Sequence, residues 1–560
     1  MTRPADFPPP FDPREYVVAP SDPPEERIDV GMVIVGGGPA GLACAIRFGQ
    51  LLEENPQVAE RLGEVPIAVL EKGKGVGAHL VSGAVVNPRG LRRLFRGRDV
   101  RIEDAPFYGR VEHESVYFMT KSTALKIPTP PTMRNDGNFV ASLSQLSRWL
   151  AEHAEAGGAM ILPETAAEKL LVTGARTVGV RTGDKGRGRD GEPLPNFEPG
   201  VDVTAKVTVL AEGTQGHLTG IAIDQFGLHG ENPQVWALGV KEVWKVARPL
   251  DRVIHTLGWP LRGGRKYREF GGSFIYPMGD DMVTLGMVVG LDYSDAELSV
   301  HELLQELKTH GLVRKILHGG ERVGWGAKTI PEGGFLAFPQ RFHAPGLLLC
   351  GDGVGLVNVP ALKGIHYAIE SGRLAAEAAF ATLQPGRTPW TPGALASYDE
   401  SLRETYVWTD LERVRNMRPA FAHGILLGGA VAGAATMSFG KLPPRDLRTE
   451  PDAAQDVLRT DRSKRYPAPD GKLIFDKLSS VYLSGNKTRD DAPNHLKVQT
   501  EVPEEIAILW ERMCPAQVYE AKDGGVEVTP SNCVQCGAIT ARGGRLTPPE
   551  GGSGPEYTLT

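Results

Sequence analysis

Three cysteines near the C-terminus, Cys514, Cys533 and Cys536, stand in a C-x18-C-x2-C spacing. Thiolates grouped in this way are soft ligands suited to iron–sulfur or zinc chemistry. The chain has only two other cysteines, Cys44 and Cys350, and both lie in apolar runs where a free thiol packs as a small hydrophobe. This is not the cysteine usage of a secreted disulfide scaffold; it points to metal chemistry in a reducing compartment. A second chemical signal lies at the other end of the chain. Residues 33–47, VIVGGGPAGLACAIR, hold Gly36, Gly38 and Gly41 in the G-x-G-x-x-G spacing. Gly36 permits a sharp turn, Gly38 lets backbone approach a pyrophosphate, and Gly41 lets a helix pack closely on a strand.

These glycines act only if a strand precedes and a helix follows them. The apolar run Met32–Val35 supplies the strand, and the helix-forming run after Pro39 supplies unpaired N–H groups for phosphate. A second apolar run, Ile67–Leu70, ends in Glu71, whose carboxylate suits a ribose diol and repels a 2′-phosphate. The gap from Gly41 to Glu71 exceeds the usual spacing of about 20 residues, so the first helix or its following loop is extended. Far downstream, GLLLCGDGVGLVN (346–358) repeats the strand–turn–helix pattern and places Gly351 and Asp352 at the turn. An Asp here suits a ribityl hydroxyl, so the two signals together argue for FAD; a nicotinamide enzyme needs only the first. Between them, the block 217–335 is rich in aromatic, glycine and β-branched residues and reads as an inserted β-sheet domain.

At 560 residues the chain is long enough for several domains. Its formal net charge of −6 and lack of a basic patch argue against nucleic acid as a partner. The proline-rich start, MTRPADFPPPFDPREY, has neither a secretory nor a transit pattern and reads as an extended surface tail. Residues 419–440 carry no charge between Arg418 and Lys441, and IPTPPTM (127–133) is a second uncharged stretch. The longer stretch admits three readings: a core helix, a membrane span, or an apolar surface entering one leaflet. The last is preferred, because the stretch is glycine-rich and lacks a long Leu/Ile/Phe run.

The order of longer strings carries a resemblance. GAHLVSGA (77–84), HTLGWPL (255–261), GGSFIYP (271–277), LGMVVGLDY (285–293), VNVPALKGIHYAIESG (357–372), VRNMRP (414–419), FDKLSSVYLSG (475–485), CPAQVYE (514–520) and NCVQC (532–536) resemble the electron transfer flavoprotein–ubiquinone oxidoreductase family, from about residue 30 to the end. The resemblance implies an α/β chain (α+β overall): a Rossmann-like FAD domain, an inserted β-rich quinone domain and a C-terminal ferredoxin-like iron–sulfur domain. It further implies electron entry from reduced electron transfer flavoprotein and passage through a [4Fe-4S] cluster and FAD to ubiquinone or menaquinone. Membrane lipid would be a monotopic contact, on the cytoplasmic face of a bacterial inner membrane.

The expected segments are a tail (1–28), FAD-binding parts (29–110, 136–216 and 336–410), a quinone/membrane segment (111–135) and a quinone-binding domain (217–335). A membrane-associating region (411–441), a connecting region (442–500) and the iron–sulfur domain (501–560) follow. The expected FAD residues are Gly36, Gly38, Gly41, Glu71, Lys72, His79, Ser82, Gly83, Gly351, Asp352 and Gly364. Gly271 and Gly272 would meet a quinone carbonyl through backbone N–H, and no side chain is expected to act as a catalyst. The family's cluster pattern continues Cys-x-x-Cys-x-x-Cys, whose last position here is Ile539, and no histidine lies in 497–560. A cubane normally takes four thiolates and zinc also needs four ligands. The expectations are therefore a [3Fe-4S] cluster, a cubane with an oxygen ligand such as Asp523 or Thr540, or no stable cluster. The alternative function is a flavin monooxygenase or geranylgeranyl-reductase-type enzyme with a lipid substrate, which would need no thiolate cluster.

Overall fold

The computed structural model describes residues 2–21 and 27–560, and of residues 423, 425 and 426 the backbone only. Residues 1 and 22–26 of the expected tail lie outside the described residues. The rest of the tail is less free than its proline content suggests. Pro4 is buried, and Val17–Val18 pairs in parallel with Leu170–Leu171.

The nucleotide-type half is built on a sheet whose centre is parallel. Arg27–Val35 lies between Ile67–Leu70 and Asp202–Leu210, with Met160–Leu162 and Leu347–Leu349 outside them. The strands are near-continuous apolar runs because helices and loops bury both faces. All five run the same way, so Val35, Leu70, Leu162, Leu210 and Leu349 end at one edge. That edge is where an open α/β sheet binds ligands. The helix Pro39–Glu54 packs against Ile365–Thr382 and Leu143–Ala156. After it comes a second short helix, Pro56–Glu60, which accounts for the long gap to Glu71.

The second sheet has seven strands in the order 321–331, 236–245, 282–290, 271–277, 253–258, 114–119, 124–127. It is therefore wider than the block 217–335: Glu114–Met119 joins it in parallel with Val253–Gly258, and Ala124–Ile127 closes the edge. The block itself also contains helices, among them Val300–Thr309, capped by the Ser299 hydroxyl accepting from Glu302 N–H. One face of this sheet shares its core with the C-terminal module: Leu285, Leu303 and Trp325 lie in the same buried cluster as Ile506, Trp510, Cys514, Cys533 and Ile539. A buried ion cluster, Glu242 with Lys308 at 2.8 Å and Arg322 at 3.5 Å, ties Val300–Thr309 to the sheet. In the C-terminal module the helix Glu504–Met513 leads into Cys514. The hairpin Tyr519–Lys522/Gly525–Val528 follows, then the loop bearing Cys533 and Cys536, then the short helix Ala538–Ala541.

The uncharged stretch 419–440 is not one helix. Met417–Ala420 ends at a turn, and Ile425–Met437 follows as a helix of 13 residues. Among the described residues no helix is long and apolar enough to cross a membrane.

Candidate functional site

At the shared edge of the parallel strands lies a cavity of about 830 Å³ that reaches from the glycine loop to the second sheet and the helix Ile425–Met437. Gly36 and Gly38 form its floor. Gly36 has φ +110°, and a Cβ there would stand 2.3 Å from the Ala211 carbonyl oxygen, so the turn admits no other residue. Gly38 is the N-cap of Pro39–Glu54, and a Cβ on it would face open space, with only a Leu80 methyl at 4.0 Å. The helix N-terminus is thus open to the cavity. Gly41 does not line it; its missing side chain lets the helix approach the Gly36 carbonyl.

The Glu71 carboxylate lines the cavity and accepts from the N–H groups of Gly37 at 3.0 Å and Gly73 at 2.6 Å. Lys72, His79, Ser82, Gly83, Gly351, Asp352 and Gly364 line the same space. Burial pushes the Asp352 carboxyl up to about 6. Several buried side-chain amide atoms lining this region have no protein partner: both amide ends of Gln215 and the side-chain oxygen Oε1 of Gln535. Unsatisfied buried groups around one cavity are what a polar cofactor would complete. Gln215 and Gln535 were not anticipated from sequence. Each sits at positive φ in a turn, and only the fold brings the two turns to one wall.

Gly271 and Gly272 lie farther along the cavity, on Gly271–Pro277. A Cβ at Gly271 would lie 2.0 Å from the Val288 carbonyl oxygen, and one at Gly272 would lie 2.4 Å from that of Thr256. Side chains at these positions would therefore strain the sheet as well as the cavity. Beyond them the walls are Pro130–Met133, Gly263, Gly264, Leu362 and the small-residue face of Ile425–Met437. Leu362 (49% exposed) and Met437 (80%) also face solvent, which places the mouth here. Leu125, Leu427, Phe439 and Leu442 are large exposed apolar side chains as well. Most described side chains of 419–440 are exposed or only partly buried, which does not fit a buried core helix.

Cys514, Cys533 and Cys536 line a separate small cavity with Ile539, Tyr519 and aliphatic groups. Burial pushes the Cys536 thiol up to about 12 and raises the Cys533 thiol as well, a state that metal binding would reverse. Among the described residues no group of three or more His, Cys, Asp or Glu is placed to hold a metal ion. The oxygen ligands considered from sequence are excluded by position. Asp523 is exposed in the hairpin turn between Lys522 and Gly525. Thr540 does not line the cavity, and its hydroxyl accepts from Leu546 N–H at 2.9 Å. As placed, the three thiols stand around one small cavity with Ile539 beside them and form no closed ligand set.

The two cavities share Gly537 and Leu546 as wall residues. The Cys536 carbonyl accepts from both the N–H and the hydroxyl of Thr329, each at 2.9 Å, and Thr329 lines the large cavity. Lys328 reaches from the same strand to the Gln535 carbonyl at 2.9 Å.

Residues 236–330 match the family model "ETF-QO, ubiquinone-binding", and residues 471–558 match "Electron transfer flavoprotein-ubiquinone oxidoreductase, 4Fe-4S". The mitochondrial electron transfer flavoprotein-ubiquinone oxidoreductase of Arabidopsis thaliana is 38% identical, over 95% of this chain and 85% of that protein. The Pseudomonas aeruginosa protein of the same name is 37% identical, over 95% and 99%. Among solved structures, a geranylgeranyl bacteriochlorophyll reductase-like protein from Thermoplasma acidophilum has a TM-score of 0.52 at 17% identity, over 75% of this chain and 98% of that one. That likeness speaks to the fold alone. With 37–38% identity over nearly the full chain to relatives from plant to bacterium and matches to both characteristic regions, the chain belongs to the electron transfer flavoprotein–ubiquinone oxidoreductase family.

Proposed function

We propose that this protein takes electrons from reduced electron transfer flavoprotein and passes them through an iron–sulfur cluster and FAD to a membrane quinone, ubiquinone or menaquinone. The observation that carries the reading is one cavity running from an open helix N-terminus to an apolar mouth, with a cysteine-lined cavity across a shared wall. FAD would lie along Gly36, Gly38, Glu71, Lys72, His79, Ser82, Gly83, Gly351, Asp352 and Gly364, with Gly41 setting the helix position. The quinone would enter past Leu362 and Met437 and meet the backbone of Gly271 and Gly272. Cys514, Cys533 and Cys536 would hold three corners of the cluster. FAD supplies one-electron and two-electron chemistry at one site, which is what joins a single-electron donor to a two-electron acceptor.

The segment assignments follow the same reading: parts of 29–110, 136–216 and 336–410 for FAD, 217–335 with the strands of 111–135 for quinone, and 501–560 for the cluster. The exposed apolar rim around the mouth supports attachment to one leaflet, here assigned to the cytoplasmic face of a bacterial inner membrane. The test is reconstitution. Anaerobically purified protein should show a flavin spectrum and reduce a quinone with electrons from electron transfer flavoprotein. A flavin-loaded protein that reduces no quinone would defeat the reading.

A further inference from the structure

Reducing a quinone to a quinol takes up two protons with two electrons, so a buried quinone needs a proton path. One side-chain pair in the cavity wall has the chemistry for it. His255 and Tyr276 are 2% and 3% exposed, and His255 Nε2 lies 2.7 Å from the Tyr276 hydroxyl. Both line the cavity together with Gly271 and Gly272. Sheet register makes the contact: His255 is opposite Phe274 and Ile254 opposite Ile275, so His255 and Tyr276 meet diagonally across two antiparallel strands. The tyrosine ring also packs under the loop 77–84, with its Cε2 3.2 Å from where a Cβ on Gly83 would lie. The pair therefore stands between the loop assigned to flavin and the glycines assigned to quinone.

Packing alone does not call for these residues. A phenylalanine would fill the space of Tyr276, and a buried hydroxyl is costly without a partner. Burial, with the charge of Lys363 adding to it, pushes His255 down to about 3, and burial pushes Tyr276 upward. Both are neutral in working conditions, and a neutral imidazole–phenol pair can pass a proton without creating a buried charge. Lys363 also lines the cavity, where its ammonium would favour negative charge on a reduced quinone oxygen.

We propose that Tyr276 is a proton donor to the quinone and that His255 reloads it; the proposal rests on the quinone reading above. As the quinone oxygen gains electrons from the flavin, the Tyr276 O–H bond breaks and a quinone O–H bond forms. The proton on His255 Nε2 moves to the tyrosine oxygen, and Nδ1 takes one from the bulk solvent, which leaves the pair neutral. One of the two protons of the quinol arrives this way, and the imidazole tautomers exchange with water between turnovers.

The experiment is rapid mixing of anaerobically reduced holoenzyme with a short-chain quinone, in H₂O and in D₂O, and in parallel with ferricyanide, which accepts electrons without protons. Tyr276→Phe should slow flavin reoxidation by quinone on the order of 100-fold while reoxidation by ferricyanide and flavin content stay unchanged. His255→Gln should give a smaller loss of the same selectivity, and the solvent isotope effect seen with quinone should change in both variants. Equal rates for wild type and Tyr276→Phe with quinone, or equal slowing with quinone and ferricyanide, would overturn the proposal. If the reduced wild-type enzyme is not reoxidised by any quinone, the functional reading itself fails, a result distinct from failure of the relay. Should Tyr276→Phe fail to fold, the His255→Gln comparison decides alone.

Discussion

The glycine-loop end of the large cavity and the cysteine cavity beside it meet at Gly537 and Leu546, yet they are built on opposite principles. The first depends on backbone: a positive-φ turn at Gly36, an open helix start at Gly38 and a close helix–strand approach at Gly41. The second is lined by side chains gathered from a helix end, a loop and a short helix, Cys514, Cys533, Cys536 and Ile539 among them. A backbone site fails only if its fold fails. A side-chain site can vary at one position while the fold around it stays intact; Ile539 is packed in the shared core.

The comparison can be broken or sharpened by substitution. The largest effect should come at the cysteines. Cys533→Ala or Cys536→Ala should abolish bound iron, measured by iron and acid-labile sulfide analysis, with flavin content retained. Ile539→Cys should move iron content toward four per chain and make the cluster resistant to air, read by EPR. Next, Gly38→Val should eliminate flavin with little change in folding, because its side chain enters the pyrophosphate's space without striking protein. Flavin at wild-type occupancy in that variant would remove the assignment of the loop.

How much of this was legible in the sequence follows the same division. Gly36, Gly38, Gly41, Glu71 and Asp352 could be read because their signals are local: a short turn between an apolar run and a helix. The segment 111–135 could be grouped with the quinone region only through the family resemblance; that its strand 114–119 pairs with 253–258 and 124–127 closes the edge depends on pairing far along the chain. Asp523 and Thr540 lie near the cysteines in sequence but do not line their cavity in the fold. The hairpin turn carries the first into solvent, and Leu546 N–H occupies the second. His255 and Tyr276 appeared only as members of longer strings, because strand register alone makes them neighbours.

Smaller effects test the supports. Glu242→Gln removes the negative member of a fully buried ion cluster and leaves Lys308 and Arg322 uncompensated. It should lower unfolding stability by about 3–5 kcal/mol, measured by chemical denaturation, with flavin binding least affected because the cluster lies in the second sheet. Asp352 should give a pH signature in flavin-free protein. Its pKa is raised in the fold to about 6 from an ordinary 3.8, so the native state is penalised as pH rises through that window and relieved as pH falls. Asp352→Asn should raise stability above pH 6 by about 1–3 kcal/mol, flatten the profile and weaken flavin binding. A profile unchanged by the substitution would show that the carboxyl is not destabilised by its site. Least in energy, Leu427→Asp with Met437→Asp should reduce sedimentation with liposomes while leaving flavin content intact, since both side chains are exposed.

The central claim is that a three-thiolate cluster and a flavin act as partners across one wall. Iron, sulfide and flavin counted on the same anaerobically purified sample, together with its EPR spectrum, test it most directly. The expected result is one flavin with about three to four irons and a cluster signal that converts between three-iron and four-iron forms on exposure to air and iron. One flavin with no iron, in a protein that still carries electrons from electron transfer flavoprotein to quinone, would contradict it.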